Sequence, residues 1–304
     1  MGSKKIYSGL NELPDRMASD TVIDGCMVLE GGAFRGLYGE GVLDALMEAD
    51  INMQCTIGVS AGAMNGFNYA AGHIGRAART NLRYRHDSRY VGLTALIHNK
   101  GVIGFDFVLG SMTEELPFDF ERFYRQDRRF IAVAANVETG EAEYFEKGIC
   151  GDIFKAIAAS ASMPYISRPV MVDGIPCLDG GCCVKVPYRW ALDRGFEKIV
   201  LIMSREVTCR RDENSKTDTM AKTFYKSHPA FAEVLSTSSK RANRDYEEIR
   251  DLAESGRIFL ICPSRYMEIS RLEGDMEKLG ELYHLGYQDG MAAVPSLKKY
   301  LRVG

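Results

Sequence analysis

The chain has 304 residues, 46% of them hydrophobic and 26% charged, enough to bury one large α/β core or two modest ones and too apolar for a disordered segment. A formal net charge of -3 gives no overall attraction to nucleic acid. The eight cysteines show neither a C-x-x-C pair nor a zinc-ligand spacing, and read as reduced thiols of a cytoplasmic protein.

The first residues, with Lys4, Lys5, Glu12, Asp15 and Arg16, lack the apolar stretch of a signal peptide, and Ile6 breaks a myristoylation pattern. No apolar run approaches the roughly 20 residues of a membrane-crossing helix, so any membrane contact is expected to be peripheral. Residues 1–20 read as an N-terminal extension to one domain spanning 21–304.

Strand-like and helix-like patterns alternate along that domain, which predicts an α/β fold: a central, mostly parallel sheet in a three-layer α/β/α arrangement. The first strand is expected at about Gly25 to Glu30, followed by a glycine-rich turn and a helix carrying Val42, Leu43, Leu46 and Met47 on one face. A second strand, Cys55 to Val59, runs into a helix-compatible stretch from Ala61 to Ala71. A helical insertion near 74–128 carries Arg76, Arg79, Arg83, Arg85 and Arg89 against Asp87, read as a solvated face. It also carries Phe105, Phe107, Phe118, Phe120, Phe123 and Tyr124, read as core. Phe130 to Ala135 is expected as a third strand with Glu141 to Phe145 as its hairpin partner, and Ile153 to Ala161 as a short helix ended by Pro164. Asp173-Gly174 turns a second hairpin. Strands are expected at Ile199 to Met203 and Ile258 to Ile261, around a second helical insertion near 209–256, with a last helix from Met276 to Ala293.

Three glycine-punctuated motifs fall at the ends of these strands. Glu30-Gly31-Gly32-Ala33-Phe34-Arg35-Gly36 follows the first strand, where backbone N–H groups at the start of a helix suit an anion. A dinucleotide fingerprint would need an acidic residue after the second strand, and that strand runs instead into Gly58-Val59-Ser60-Ala61-Gly62. G-x-S-x-G is the sequence form of a serine held on a sharp strand-to-helix turn, which makes Ser60 a candidate nucleophile. Such a serine needs a base. Asp179-Gly180-Gly181 places an aspartate at a strand end, whereas Asp173 falls at a hairpin tip and no histidine lies in a comparable motif.

From Met27 to about Gly181 the motifs and their order resemble the patatin-like phospholipase family, and the later region is similar to its bacterial single-domain members. The resemblance implies a Ser60/Asp179 dyad with no histidine, and a lipid acyl hydrolase of the phospholipase A or lysophospholipase kind. It makes Gly31, Gly32, Ala33 and Gly36 the oxyanion loop, with Ala33 in place of the usual third glycine and Arg35 at the basic position. Ala61 is expected to add an N–H donor. An alanine fits that loop undistorted if its φ is negative. The implied partner is a lipid or acyl-ester substrate, with no cofactor, no metal and no nucleic acid; the oligomeric state is open. Two other readings remain: an esterase or thioesterase whose triad uses His228 or His284, and a catalytically silent lipid-binding or scaffold protein of the same fold.

Overall fold

The computed structural model describes residues 5–91, 104, 107, 115–214 and 216–303. Among the described residues ten strands run in chain order as β1 (Arg16–Met17), β2 (Ile23–Leu29), β3 (Met53–Val59), β4 (His73–Ile74), β5 (Arg129–Asn136), β6 (Ala142–Glu146), β7 (Val170–Val172), β8 (Ile175–Asp179), β9 (Ile199–Ile202) and β10 (Phe259–Ile261). The main sheet is ordered β10-β9-β2-β3-β5-β8-β7, with β6 also on β5. Strands β10, β9, β2, β3 and β5 are parallel, while β6, β8 and β7 join antiparallel.

The central strands read as near-continuous apolar runs because both faces are covered. Successive residues of β2 alternate between two cores. Met27 and Leu29 pack with Val42 and Leu46 of α1 (Gly36–Glu48) and with Leu279 and Tyr283 of the C-terminal helix Met276–Leu301. Cys26 and Val28 face the other way, with Ile57, Val133, Trp190 and, from the helix Ser238–Glu254, Tyr246 and Ile249. Helix α1 and the C-terminal helix cross backbone to backbone: a Cβ on Gly41 would lie 2.1 Å from the Tyr283 carbonyl oxygen, so only glycine permits the approach.

The insertion near 74–128 holds α3 (Arg76–Tyr84) and the single turn Phe120–Phe123; Phe105 and His98 lie outside the described residues. The solvated arginine face needs correction at Arg76, which is buried and bonds Asn68 Oδ1 and the Leu116 and Pro117 carbonyls. The guanidinium can leave water because three oxygens replace its hydration. Phe107, Phe118 and Phe123 are core, but Phe120 and Tyr124 are exposed. The last helix runs past its expected end at Ala293 to Leu301, with Pro295 inside it, because burial of Leu297 and Leu301 outweighs the lost backbone bond.

Candidate active site

At the end of β3 the chain reverses into α2 (Ala61–Ala70) through Ser60, whose φ of 56° and ψ of -122° lie where a non-glycine residue is strained by about 1–3 kcal/mol. Its neighbours enforce the turn. A Cβ on Gly58 would meet the Gly62 carbonyl oxygen at 2.3 Å, and one on Gly62 would meet the Leu29 carbonyl oxygen at 2.5 Å. The Ser60 N–H donates to Ser160 Oγ at 2.8 Å, and Ser160 Oγ donates to the Val133 carbonyl at 2.6 Å. Ser160, at the end of the helix Ile153–Ser160, carries no motif that would have drawn attention to it.

The sheet register brings Asp179 to this turn. Ile131 to Val133 of β5 pair with β3 on one side and with β6 on the other, and Ala134 and Ala135 then pair with β8 and with β6. Strands β3 and β8 therefore share one edge of β5 and run toward each other, so the residue after Val59 meets the last residue of β8. Ser60 Oγ donates to Asp179 Oδ2 at 2.7 Å, and the Gly181 N–H donates to Oδ1 at 2.7 Å. The Asp179 N–H itself donates to the Ser162 carbonyl. Burial pushes the Asp179 carboxyl above its ordinary range, opposed by the bonds from Ser60 and Gly181 and by the charges of Lys185 and Arg271. A carboxylate so placed is a stronger base than an exposed one.

Gly31, Gly32 and Ala33 lie against the same turn, and Gly36 packs its Cα against Ala61. Ala33 adopts φ 51°, so the undistorted negative-φ case does not hold; the strained alanine costs about 1–2 kcal/mol. Among the described residues the N–H groups of Gly32, Ala33 and Ala61 have no hydrogen-bond acceptor. Arg35 is buried and its Nη1 donates to the Ile269 carbonyl at 2.7 Å. Burial, then repulsion from Arg205, Arg211 and Arg271, lowers its guanidinium to about 10.

Glu30 opens the glycine-rich motif, which by itself assigns it no role. Its buried carboxylate accepts from the Ser204 N–H and Oγ at 2.7 and 2.9 Å, from Tyr246 Oη, and from Arg211 Nη2 at 3.4 Å. It ties the loop to β9 and to the helix Ser238–Glu254. Asp173 sits at its hairpin tip, exposed and accepting from the Gly151 N–H. His284 contacts Tyr7 Oη, His228 precedes the helix Pro229–Ser236, and neither lines the space around Ser60.

Two cavities meet at Ser60 and Ala33. The larger, about 460 Å³, counts Met163, Tyr165, Ile166, Met220, Phe224 and Leu235 among its lining residues. The smaller, about 60 Å³, includes Phe34, Met64, Glu40 and Asn81. Ile166, Met220, Phe224 and Leu272 are exposed at the mouth of the larger. Among the described residues, no three His, Cys, Asp or Glu side chains are grouped to hold a metal ion, and no helix is long and apolar enough to cross a membrane.

An α/β sheet that presents a serine at a strand-to-helix turn beside a strand-end carboxylate defines the class of fold. The model of the patatin-like phospholipases matches residues 27–192, and the chain belongs to that family. Residues 228–302 match a model described as a domain of unknown function (DUF6363). The chain is 27% identical over 183 residues to the uncharacterized protein YjjU of Escherichia coli (strain K12), covering 58% of this chain and 50% of that protein. It is 28% identical over 171 residues to the uncharacterized NTE family protein Rv1063c of Mycobacterium tuberculosis, covering 53% and 43% respectively. The chain thus spans about half the length of the curated relatives it matches. Among solved structures, VipD from Legionella pneumophila aligns with a TM-score of 0.48 and 13% identity over 97% of this chain and 72% of that one.

Proposed function

We propose that the protein is a serine lipid acyl hydrolase, of the phospholipase A, lysophospholipase or related carboxylic ester class, working through a Ser60/Asp179 dyad. The observation that carries this reading is the 2.7 Å bond from Ser60 Oγ to Asp179 Oδ2 at a strained turn that opens on a cavity. Asp179 takes the hydroxyl proton as Oγ bonds to the acyl carbon. The resulting oxyanion is met by the unengaged N–H groups of Gly32, Ala33 and Ala61, each such donor being worth about 10²- to 10³-fold in rate. Collapse breaks the ester C–O bond, and Asp179 returns the proton to the departing alcohol. Water then attacks the acyl-serine, giving one proton to Asp179, and the collapsing intermediate releases the carboxylic acid as Ser60 is reprotonated. In this scheme Arg35 fixes the loop through Ile269 and adds positive charge behind the oxyanion.

A lipid substrate is favoured by the apolar residues lining the larger cavity and by the exposure of Ile166, Met220, Phe224 and Leu272 among them, an arrangement suited to peripheral contact with a lipid surface. The test is turnover of short-chain nitrophenyl esters and of phospholipids, with labelling by a fluorophosphonate probe. Labelling and turnover that both vanish in Ser60→Ala, and turnover lost in Asp179→Asn, are expected. A folded wild-type protein that is neither labelled nor active would leave the silent scaffold reading standing.

A further inference from the structure

The two cavities that meet at Ser60 are not equivalent for the chemistry. Asp179 lines the larger and, among the described residues, not the smaller. In the reaction proposed above Asp179 gives its proton to the departing oxygen, so the alcohol leaves on the side of the larger cavity. The acyl group projects from the other side of the same carbon, where the smaller cavity, lined by Ala33 and Ala61 as well as Ser60, stands to take it. This cavity, about 60 Å³, has room for a few water-sized groups, and its lining combines the apolar Phe34 and Met64 with the polar Glu40 and Asn81. Gly36 packs against Ala61, and Glu40 follows Gly36 by one turn of α1, about 5 Å along the helix. The Glu40 carboxyl therefore stands within a few carbon–carbon bonds of Ser60.

A chain of hydrogen bonds fixes how that carboxyl is presented. Tyr90 Oη donates to Asn81 Oδ1 at 2.5 Å, and Asn81 Nδ2 donates to Glu40 Oε1 at 2.7 Å. Oε1 is thus held as an acceptor, while Oε2 is buried with no hydrogen-bond partner among the described residues. Burial, and then Asp44, raises the carboxyl to about 8, so near neutral pH it is a carboxylic acid whose proton belongs on Oε2. A buried donor without an acceptor is costly, and an oxygen brought in by a ligand removes that cost. An ammonium group would need the ionised carboxylate, and a phosphate would meet no Lys or Arg among the described residues lining this cavity. A hydroxyl suits either state of the acid, accepting from its O–H or donating to its carboxylate.

We infer that the smaller cavity is an acyl subsite ended by Glu40, and that the preferred substrate is an ester whose acyl group carries a hydroxyl within a few carbons of the carbonyl. This rests on the hydrolase reading above for the word substrate, though not for the site. Glu40 determines the specificity, and Asn81 with Tyr90 orients it.

The experiment compares nitrophenyl esters of 3-hydroxybutanoic and 6-hydroxyhexanoic acids with those of butanoic and hexanoic acids, and titrates Ser60→Ala protein with the four free acids by calorimetry. Wild type is expected to favour a hydroxylated ester over its parent in kcat/KM by about tenfold or more, and Glu40→Met to erase that preference. Equal turnover within both pairs, or a preference that Glu40→Met leaves in place, overturns the inference while the hydrolase reading survives. If Glu40→Met does not fold, Asn81→Ala serves instead, because it removes the bond that orients the carboxyl; a preference unchanged in that variant overturns the inference as well. If no ester is turned over, the titration still decides. A hydroxylated acid that binds about tenfold more tightly than its parent, with the difference lost when Glu40→Met is added, sustains the subsite, and equal binding within both pairs ends it.

Discussion

Ser160 holds Ser60 in place from behind: its Oγ accepts the Ser60 N–H at 2.8 Å while donating to the Val133 carbonyl at 2.6 Å. All three groups lie in the buried seam between the strand-end turn and β5. Ser160→Ala would strand one buried donor and one buried acceptor, a loss of about 1–3 kcal/mol, measurable by denaturant unfolding. As Ser160 positions the serine without touching substrate, kcat should fall about 10- to 100-fold with a smaller change in KM. An unchanged kcat would mean that the turn is held by its glycines alone.

Asp179 is expected to trade stability for reactivity. Its carboxyl is raised by burial, so the folded state binds a proton more tightly than the unfolded chain. That contribution is full below the ordinary carboxylate pKa and is lost as pH rises through the raised folded value. Asp179→Asn should therefore abolish turnover yet show a higher Tm than wild type at neutral pH, with a flatter dependence on pH. Wild-type turnover should rise over the same interval as the base ionises. A lower Tm for Asp179→Asn at neutral pH would contradict the burial argument.

Glu40 and Asp44 stand one turn apart on α1, both fully enclosed. Burial first, and then the neighbouring carboxylate, raises Glu40 to about 8; burial likewise raises Asp44 to about 7. Glu40 accepts from Asn81 Nδ2, and Asp44 from the Gly75 N–H and Tyr283 Oη. Because both folded values exceed the unfolded ones, the contribution of this pair should be full below about pH 4 and decline by a few kcal/mol, as an order of magnitude, toward pH 8. Glu40→Gln should remove much of that slope. Urea unfolding at a series of pH values measures it, and a slope unaffected by the substitution would place the titration elsewhere.

Pro295 sits inside the C-terminal helix on an exposed position. It lacks the N–H that would bond back along the helix, a defect of about 3 kcal/mol in an unconstrained helix interior. Part of that is offset by its restriction of the unfolded chain. Pro295→Ala is expected to stabilise the fold by about 1–3 kcal/mol, seen as a rise in Tm; a fall would show that the packing of Leu297 and Leu301 depends on the proline.

Much of the architecture was legible because the signals are local. Apolar runs marked β2, β3, β5 and β9, and glycine clusters marked the loop at Gly31, the turn at Ser60 and the turn after Asp179. Where the reading failed, a distant partner had intervened. Arg76 is buried because Asn68 and the carbonyls of Leu116 and Pro117 surround it, and no pattern within α3 reports that. The helix from Met276 continues through Pro295 because residues beyond the proline find a core to enter.

The sequence by itself determined which residues could carry chemistry, since a serine between glycines and an aspartate before two glycines are dictated by steric limits within a few bonds. Their meeting was decided only by the tertiary structure. Ser60 and Asp179 lie 119 positions apart, and they touch because β3 and β8 share one edge of β5 while running in opposite directions. The support of Ser160, the anchoring of the loop by Glu30, and the meeting of Glu40 with Asn81 have the same origin. Each depends on long-range register and packing, for which short-range periodicity carries no signal.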